Sequence, residues 1–175
     1  GGCVRDKMLE IVPKDIDIEV YNLSYDKLVT LLGQFGQTDV VGQSFGVIKL
    51  KTATGEKYDF SLPRLDSKNG VGHKGFDVEV NEELTTREAF ARRDFTINSM
   101  GIDLSTGEIV DFYGGQFALG LRILHPTSEA FCEDALRILR GLQFTARFDL
   151  VATRKLIDAA VKCTNEFHTL PSSRI

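Results

Sequence analysis

The sequence predicts an α+β fold, in which a mixed sheet flanked by helices is followed by a helical segment. Three observations predict it. Short segments between residues 15 and 62 alternate apolar and polar side chains, as half-buried strands do. Segments after residue 127 carry apolar residues at helical spacing. The 175 residues, 42% of them hydrophobic, are also enough for the chain to bury a core of its own.

Composition excludes several classes of protein. The formal net charge of −4 argues against a whole-domain electrostatic grip on nucleic acid, so local basic clusters would have to hold any polynucleotide. No apolar run approaches the length of a bilayer crossing, and nothing resembles a secretory signal. Cys3, Cys132 and Cys163 are far apart without a CxxC pair, so neither a disulfide framework nor a zinc site is expected. A cytoplasmic location is the expectation that follows.

The stretch with the clearest chemistry is Asp15 to Val20. In an extended strand, alternation sends Asp15, Asp17 and Glu19 to one face and the intervening apolar residues to the other. Neighbouring carboxylates suit Mg²⁺, which proteins usually hold with one or two carboxylates and substrate phosphates. A solvated strand face explains the same pattern, so both interpretations remain open.

Gly1 and Gly2 stand just ahead of a predicted helix that has Arg5 in its first turn. Backbone N–H groups and the positive helix end can approach a phosphate at such a turn, and an arginine there can pair with it. An ordinary glycine turn is the alternative.

The next elements are a helix and a hairpin. Ser24 caps a helix that ends at Gly33 or Gly36, and two strands, 45–52 and 57–62, pair across a Thr-Gly turn. In the second strand Asp59 lies on the polar face. It either joins Asp15 and Asp17 from a neighbouring strand or is a lone exposed charge.

Residues 64–75 are rich in Gly, Lys, Asp and Asn, which predicts a mobile surface loop. Thr85 and Glu88 then form a capping box that opens a helix. The run from Arg92 to Asn98 offers arginines for phosphate and Asp or Asn for ribose hydroxyls, although a helix end with self-paired charges explains it too.

The last part of the chain contains a hairpin over residues 100–111 and then a long helix capped by Thr127 or Ser128. Core positions of this helix are predicted to include Leu142. On its polar side Asp134 and Arg137 either pair with each other or present an acceptor and a fork of donors to the edge of a base.

Taken together, three runs resemble the class II tRNA nucleotidyltransferase and poly(A) polymerase family. They are Gly1-Gly2-Cys3-Val4-Arg5-Asp6 with Asp15-Ile16-Asp17, then Arg92-Arg93-Asp94-Phe95-Thr96-Ile97-Asn98, then Glu133-Asp134-Ala135-Leu136-Arg137-Ile138-Leu139-Arg140. The resemblance covers almost the whole chain. It implies a polymerase-β-type nucleotidyltransferase head over residues 1–118, with its first strand truncated, and the start of an all-α neck over residues 119–175.

The resemblance also implies the site residues. By it, Asp15 and Asp17 bind Mg²⁺ and Asp59 is the third acidic position. Gly1, Gly2 and Arg5 would bind the triphosphate. Ribose and phosphate would be contacted by Arg92, Arg93, Asp94 and Asn98. The base would be recognised by Asp134, Arg137 and Arg140. The segment 64–75 matches the family's flexible loop.

The implied reaction is template-independent addition of CMP and AMP, from CTP and ATP, to the 3′ end of tRNA. Poly(A) polymerase activity is the alternative with the same chemistry, and a non-catalytic nucleotide- or RNA-binding module is the alternative of another class. The chain departs from the family pattern at Leu9-Glu10, Asp111-Phe112 and Ala118-Leu119. The last two departures lie in a segment that the family links to head and neck motion, which puts nucleotide switching in question.

Overall fold

The computed structural model describes residues 1–42, 46–68, 76–81 and 83–165, and it confirms the α+β class. The helices are α1 (Gly2–Met8), α2 (Tyr25–Leu32), α3 (Thr86–Ala91), α4 (Gly115–Gly120), α5 (Leu136–Phe148) and α6 (Arg154–Cys163). The strands are β1 (Asp17–Glu19), β2 (Gly36–Gly42), β3 (Val47–Thr52), β4 (Lys57–Ser61), β5 (Arg64–Lys68), β6 (Phe76–Val80), β7 (Met100–Ile102), β8 (Ile109–Asp111), β9 (Ile123–Leu124) and β10 (Val151–Ala152). Two 3₁₀ turns cover Thr96–Asn98 and Glu129–Glu133.

The main sheet has four strands in the order β1-β4-β3-β2. Strand β1 runs parallel to β4, whereas β4, β3 and β2 are antiparallel neighbours, so the sheet is mixed as predicted. Strand β2 was not predicted, because Gly36, Gln37 and Asp39 give it little strand propensity. Its first residue must be small, since a Cβ on Gly36 would lie 2.2 Å from the Lys51 carbonyl oxygen.

Alternation along the strands separates an apolar face from a polar face, as the sequence predicted. Ile48, Leu50 and Leu62 pack with Leu28 and Leu32 of α2 into one buried cluster. The opposite face carries the charged residues of β1, β3 and β4. Helix α2 therefore covers one side of the sheet and leaves the polar side open for chemistry.

A second core joins the part of the chain around α1 and β7 to the helices that follow. Phe95, Met100 and Leu119 are buried with Phe144 and Phe148 of α5. Helix α4 crosses the predicted boundary between residues 118 and 119, and both sides of that boundary contribute to this core. The division into head and neck stays a prediction.

The prediction of one long helix from residue 127 is wrong. Ser128 caps the 3₁₀ turn Glu129–Glu133, and the chain then extends at Asp134, with φ −126° and ψ 110°, before α5 begins. The shift in register turns Leu142 outward, where 64% of it is exposed, and brings Phe144 and Phe148 into the core instead. Periodicity alone did not reveal the break, because both segments have helical spacing.

The expectation of no disulfide is also wrong. Cys132, in the 3₁₀ turn, and Cys163, at the end of α6, form a disulfide, whereas Cys3 is free. Spacing of 31 residues in the sequence gave no sign of this pairing, which depends on the packing of the turn against α6. The cytoplasmic assignment rested partly on the missing disulfide and stays a prediction without that support.

The start of the predicted loop is a strand. Residues Arg64–Lys68 pair with Phe76–Val80 as the antiparallel ribbon β5-β6, while residues 69–75 lie outside the described part of the chain. Within the described ranges, no helix combines the length and the apolar character needed to cross a bilayer.

Candidate active site

Two aspartates stand side by side on the polar face of the sheet. The register of the parallel ladder pairs Asp17 of β1 directly with Asp59 of β4. Paired residues of neighbouring strands direct their side chains to the same face. This register confirms the predicted alignment of Asp59 with Asp17. Asp15 lies before the strand begins, in an exposed position two residues from Asp17.

The same cross-strand row continues with opposite charge. Asp59 is paired with Lys49 of β3, and Lys49 with Asp39 of β2. The Lys49 Nζ lies 3.9 Å from Asp59 Oδ2, and both side chains are well exposed, so water weakens this ion pair. The row thus places the Lys49 ammonium group beside Asp59.

Mg²⁺ is the cofactor that the predicted chemistry implies. Hard oxygen donors suit this ion, and the Asp17 and Asp59 carboxylates supply two of them on one open face. Among the described residues, no group of three His, Cys, Asp or Glu side chains gathers closely enough to hold a metal ion alone. The donor set therefore fits an ion that shares its coordination with substrate phosphates and water, rather than one held in a protein cage.

The glycine turn lies beside Arg93. A Cβ on Gly1 would lie 3.8 Å from Arg93 Nη1, and the Gly1 nitrogen donates a hydrogen bond to the Met100 carbonyl. Gly2 begins α1, as predicted. The structure thus brings the first and second motifs together at the β1 edge of the sheet.

Glu19 holds the arginines of the second motif in place. Arg93 donates a hydrogen bond from Nη2 to Glu19 Oε2 at 2.7 Å, and Arg92 Nη2 lies 3.7 Å from Oε1. Only 11% of the Glu19 side chain is exposed. Burial and the Glu19 carboxylate raise the pKa of Tyr21.

Arg93 has three further contacts. It donates to the carbonyls of Asn98 and Met100, each at 3.2 Å, and its guanidinium lies 4.0 Å from the centre of the Phe90 ring. These contacts fix the side chain in one orientation. A positively charged group is therefore held next to the glycine turn without depending on a ligand.

Arg5 lies inside the protein and does not face the open side of the sheet. It is 6% exposed, donates to Asp6 Oδ1 from Nε at 2.8 Å and from Nη2 at 2.6 Å, and donates to Asn98 Oδ1 from Nη1 at 2.5 Å. Its guanidinium also lies 4.6 Å from the centre of the Phe148 ring. Triphosphate binding by Arg5 stays a prediction, and it would require these donors to exchange their protein partners for phosphate.

Asp94 and Asn98 belong to the same buried network. Asn98 Nδ2 donates to Asp94 Oδ1 at 2.9 Å, and the half-exposed Arg140 donates from Nε to Asp94 Oδ2 at 2.7 Å. The three sequence runs, which contain Arg5, Asp94 and Arg140, therefore meet in one chain of hydrogen bonds. This arrangement links the second motif to α5.

The two predicted base-reading residues are also held by protein atoms. Arg137 donates to the carbonyls of Ala130 and Arg92, at 2.5 and 2.8 Å, and is 9% exposed. Asp134 Oδ1 accepts a hydrogen bond from the Leu136 N–H at 2.9 Å and so caps α5. Base recognition by these two side chains stays a prediction.

Sequence reasoning missed two residues that organise the site. Glu19 was placed on the correct face, but its ion pair with Arg93 joins residues 74 apart in sequence, for which no local pattern exists. Asp6 was part of the first motif, and its role as the partner of Arg5 depends on burial that the sequence does not display.

Comparison with known protein families agrees with this arrangement. The model of the poly(A) polymerase head domain matches residues 1–125, which is well over half of the chain. The match covers the carboxylate strands, the glycine turn and the Arg92–Asn98 run.

Curated relatives are similar over most of the chain. A protein of Actinobacillus pleuropneumoniae serotype 5b named multifunctional CCA protein is 42% identical over 148 residues, and one of the same name from Stenotrophomonas maltophilia is 40% identical over 148 residues. Each alignment covers 85% of this chain and 34% of the relative. The chain thus spans about a third of the length of the curated relatives it matches.

Solved structures share the fold. The Bacillus stearothermophilus CCA-adding enzyme in complex with CTP superposes with a TM-score of 0.84 at 26% identity, over 99% of this chain and 40% of that enzyme. A CCA-adding enzyme in complex with ATP gives a TM-score of 0.80 at 27% identity, over 99% of this chain and 39% of its own. These matches include the segment from α4 to α6, which lies largely beyond the family model.

Proposed function

Because the chain belongs to the family of the poly(A) polymerase head domain, we propose that it catalyses template-independent transfer of CMP and AMP, from CTP and ATP, to the 3′ end of tRNA with release of pyrophosphate. The observation that carries the proposal is the pairing of Asp17 with Asp59 on an open sheet face. The names of the relatives, multifunctional CCA protein and CCA-adding enzyme, support C-C-A as the sequence that is added.

Asp17 and Asp59, with Asp15 close in sequence, would hold Mg²⁺ together with the nucleotide phosphates. A divalent ion bound there supplies charge neutralisation on the triphosphate and lowers the pKa of the attacking ribose hydroxyl. The residues themselves contribute position. Arg93, fixed by Glu19, lies beside the glycine turn and would pair there with a phosphate.

No serine, cysteine or histidine nucleophile is required for this reaction, since phosphoryl transfer depends mainly on positioning and electrostatic stabilisation. In this proposal, Asp94 and Asn98 hold the Arg92–Asn98 run against α5. Recognition of the base by Asp134, Arg137 and Arg140 is part of the proposal, and it requires Arg137 to exchange its carbonyl partners for the base.

A second candidate, poly(A) addition, is favoured by the description of the matching family. The two are separated by incubating the chain with tRNA that ends at the discriminator base and with labelled CTP alone, ATP alone, or both. Addition that stops after C-C-A is the expected result. Long A tails from ATP alone would favour the second candidate, and metal-dependent binding of CTP without any incorporation would indicate a binding module.

A further inference from the structure

A second charged region lies on the polar face of the sheet, next to the aspartates. It is an open groove of about 620 Å³, which we call the sheet groove. Its charged lining consists of three carboxylates and three lysines: Asp15, Asp39, Asp59, Lys49, Lys51 and Lys57.

The strand register explains why the lysines converge. Lys57 of β4 pairs with Lys51 of β3, and Lys51 pairs with Gln37 of β2. Lys49 lies two residues from Lys51 on the same face. Three ammonium groups thus stand in two adjacent rows, although like charges directly opposite each other destabilise a sheet. Such an arrangement is stabilised when an anion lies over it.

The three lysines differ in the charges beside them. Lys49 lies between the carboxylates of Asp59 and Asp39 in its cross-strand row, while Lys51 and Lys57 make no ion pair with any residue in the described ranges. All three side chains are exposed. The row of Lys51 and Lys57 is therefore the basic part of the sheet groove, in a chain with a net charge of −4.

The sheet groove shares Asp15 and Asp59 with the proposed metal site, but its lysines lie away from the glycine turn. Gly1, Arg93 and Glu19 lie at the β1 edge of the sheet, whereas the lysines lie on β3 and β4. Asp17 and Asp59 stand between the two regions, because β1 and β4 are neighbours. A reaction that joins two phosphate-bearing substrates needs one of them on each side of the carboxylates.

We propose that the sheet groove binds the phosphate backbone of the accepting RNA next to its 3′ end, with Lys49, Lys51 and Lys57 contacting the phosphates and the terminal hydroxyl directed toward Asp59. This inference rests on the proposed function and adds to it the surface that positions the acceptor. The three lysines are positioning residues, since none of them touches the bond that is formed or broken.

The test compares two triple variants of the full chain that remove the same charge. One replaces Lys49, Lys51 and Lys57 with Gln, and the control replaces Lys7, Lys27 and Lys162, which are exposed elsewhere. Fluorescence anisotropy measures the Kd of a labelled single-stranded RNA between about 50 and 300 mM salt, and calorimetry measures the Kd of CTP with Mg²⁺ present. Each phosphate contact contributes a slope of about 0.7 to the plot of log K against log salt for single strands.

Loss of three contacts is expected to weaken RNA binding at least about tenfold at low salt and to flatten that slope by about 2, while CTP binding stays like that of the control. Arginine at the same three positions is expected to restore RNA binding, which separates loss of charge from loss of fold. Equal RNA affinity of the two triple variants would overturn the inference. So would weakened CTP binding with unchanged RNA binding, because the lysines would then hold the nucleotide.

A wrong proposed function would give a different experimental result from a wrong RNA-binding surface. In that case the wild-type chain would bind RNA through the three lysines and still transfer no CMP, so the surface would stand while the activity would not.

Discussion

At the scale of single residues, the site combines side chains whose position the sequence revealed with others whose role it concealed. Alternation placed Asp17 and Asp59 each on the polar side of its own strand, but only the register of β1 and β4 shows that they stand opposite each other. The sequence also placed Arg5 in the first turn of α1, but it did not reveal the contacts of this side chain. It lies between Asp6, Asn98 and two aromatic rings, so its guanidinium stabilises the junction of α1 with α5.

Replacement of Arg5 by Lys tests this interpretation. Lysine keeps the charge but cannot reproduce the fork of hydrogen bonds to Asp6 and Asn98, so we expect the free energy of unfolding to fall by about 2 kcal/mol in urea denaturation. The reciprocal control, Lys7→Arg on the exposed side of the same helix, should change it by less than about 0.5 kcal/mol. If Arg5→Lys instead leaves stability unchanged and weakens CTP binding, the guanidinium contacts the nucleotide and our placement is wrong.

At the scale of elements, sequence patterns within one turn predicted the structure correctly, whereas contacts between distant parts of the chain left no pattern in the sequence. The capping box of Thr85 and Glu88 formed as predicted, because both partners lie within one turn. Strand β2 and the break at Asp134 were missed, since pairing with β3 and packing against α6 decide them rather than local propensity. The disulfide between Cys132 and Cys163 belongs to the same class, because only the folded chain brings these cysteines together.

The disulfide predicts a redox dependence of stability. It closes a span of 31 residues and ties the turn before Asp134 to α6. The double variant Cys132→Ser, Cys163→Ser should therefore unfold with a free energy lower by roughly 2–4 kcal/mol, because the unfolded chain regains the entropy of an open loop. Urea denaturation with and without reductant measures this. Cys3→Ser is the matched control and should behave like wild type.

Adding reductant before urea denaturation gives a second check of this prediction. It should destabilise the wild type and leave the double variant unchanged. Identical urea midpoints for the reduced and oxidised wild type would mean that the bond contributes nothing to stability.

At the scale of the whole molecule, the two faces of the main sheet have different roles. The apolar face, covered by α2, holds the fold, and the polar face presents a line of charges from the β1 edge to β2. The sequence predicted the mixed sheet and its polar face, because alternation within short segments indicates both, whereas the pairing of Asp17 with Asp59 required the register of β1 and β4. It could not predict the chain of hydrogen bonds from Arg5 through Asp94 to Arg140, which joins residues more than 130 positions apart.

The most direct test of the account is the incorporation of labelled CMP into tRNA by the isosteric variants Asp17→Asn and Asp59→Asn, with Asp149→Asn, an exposed position after α5, as the control. Loss of the paired carboxylates should reduce incorporation at least about a hundredfold, equivalent to about 2.7 kcal/mol of transition-state stabilisation, while urea midpoints stay near that of the wild type. The control should retain activity within about twofold. Near-normal incorporation by both aspartate variants would contradict the account, because the reaction would then proceed without the pair on which the site is built.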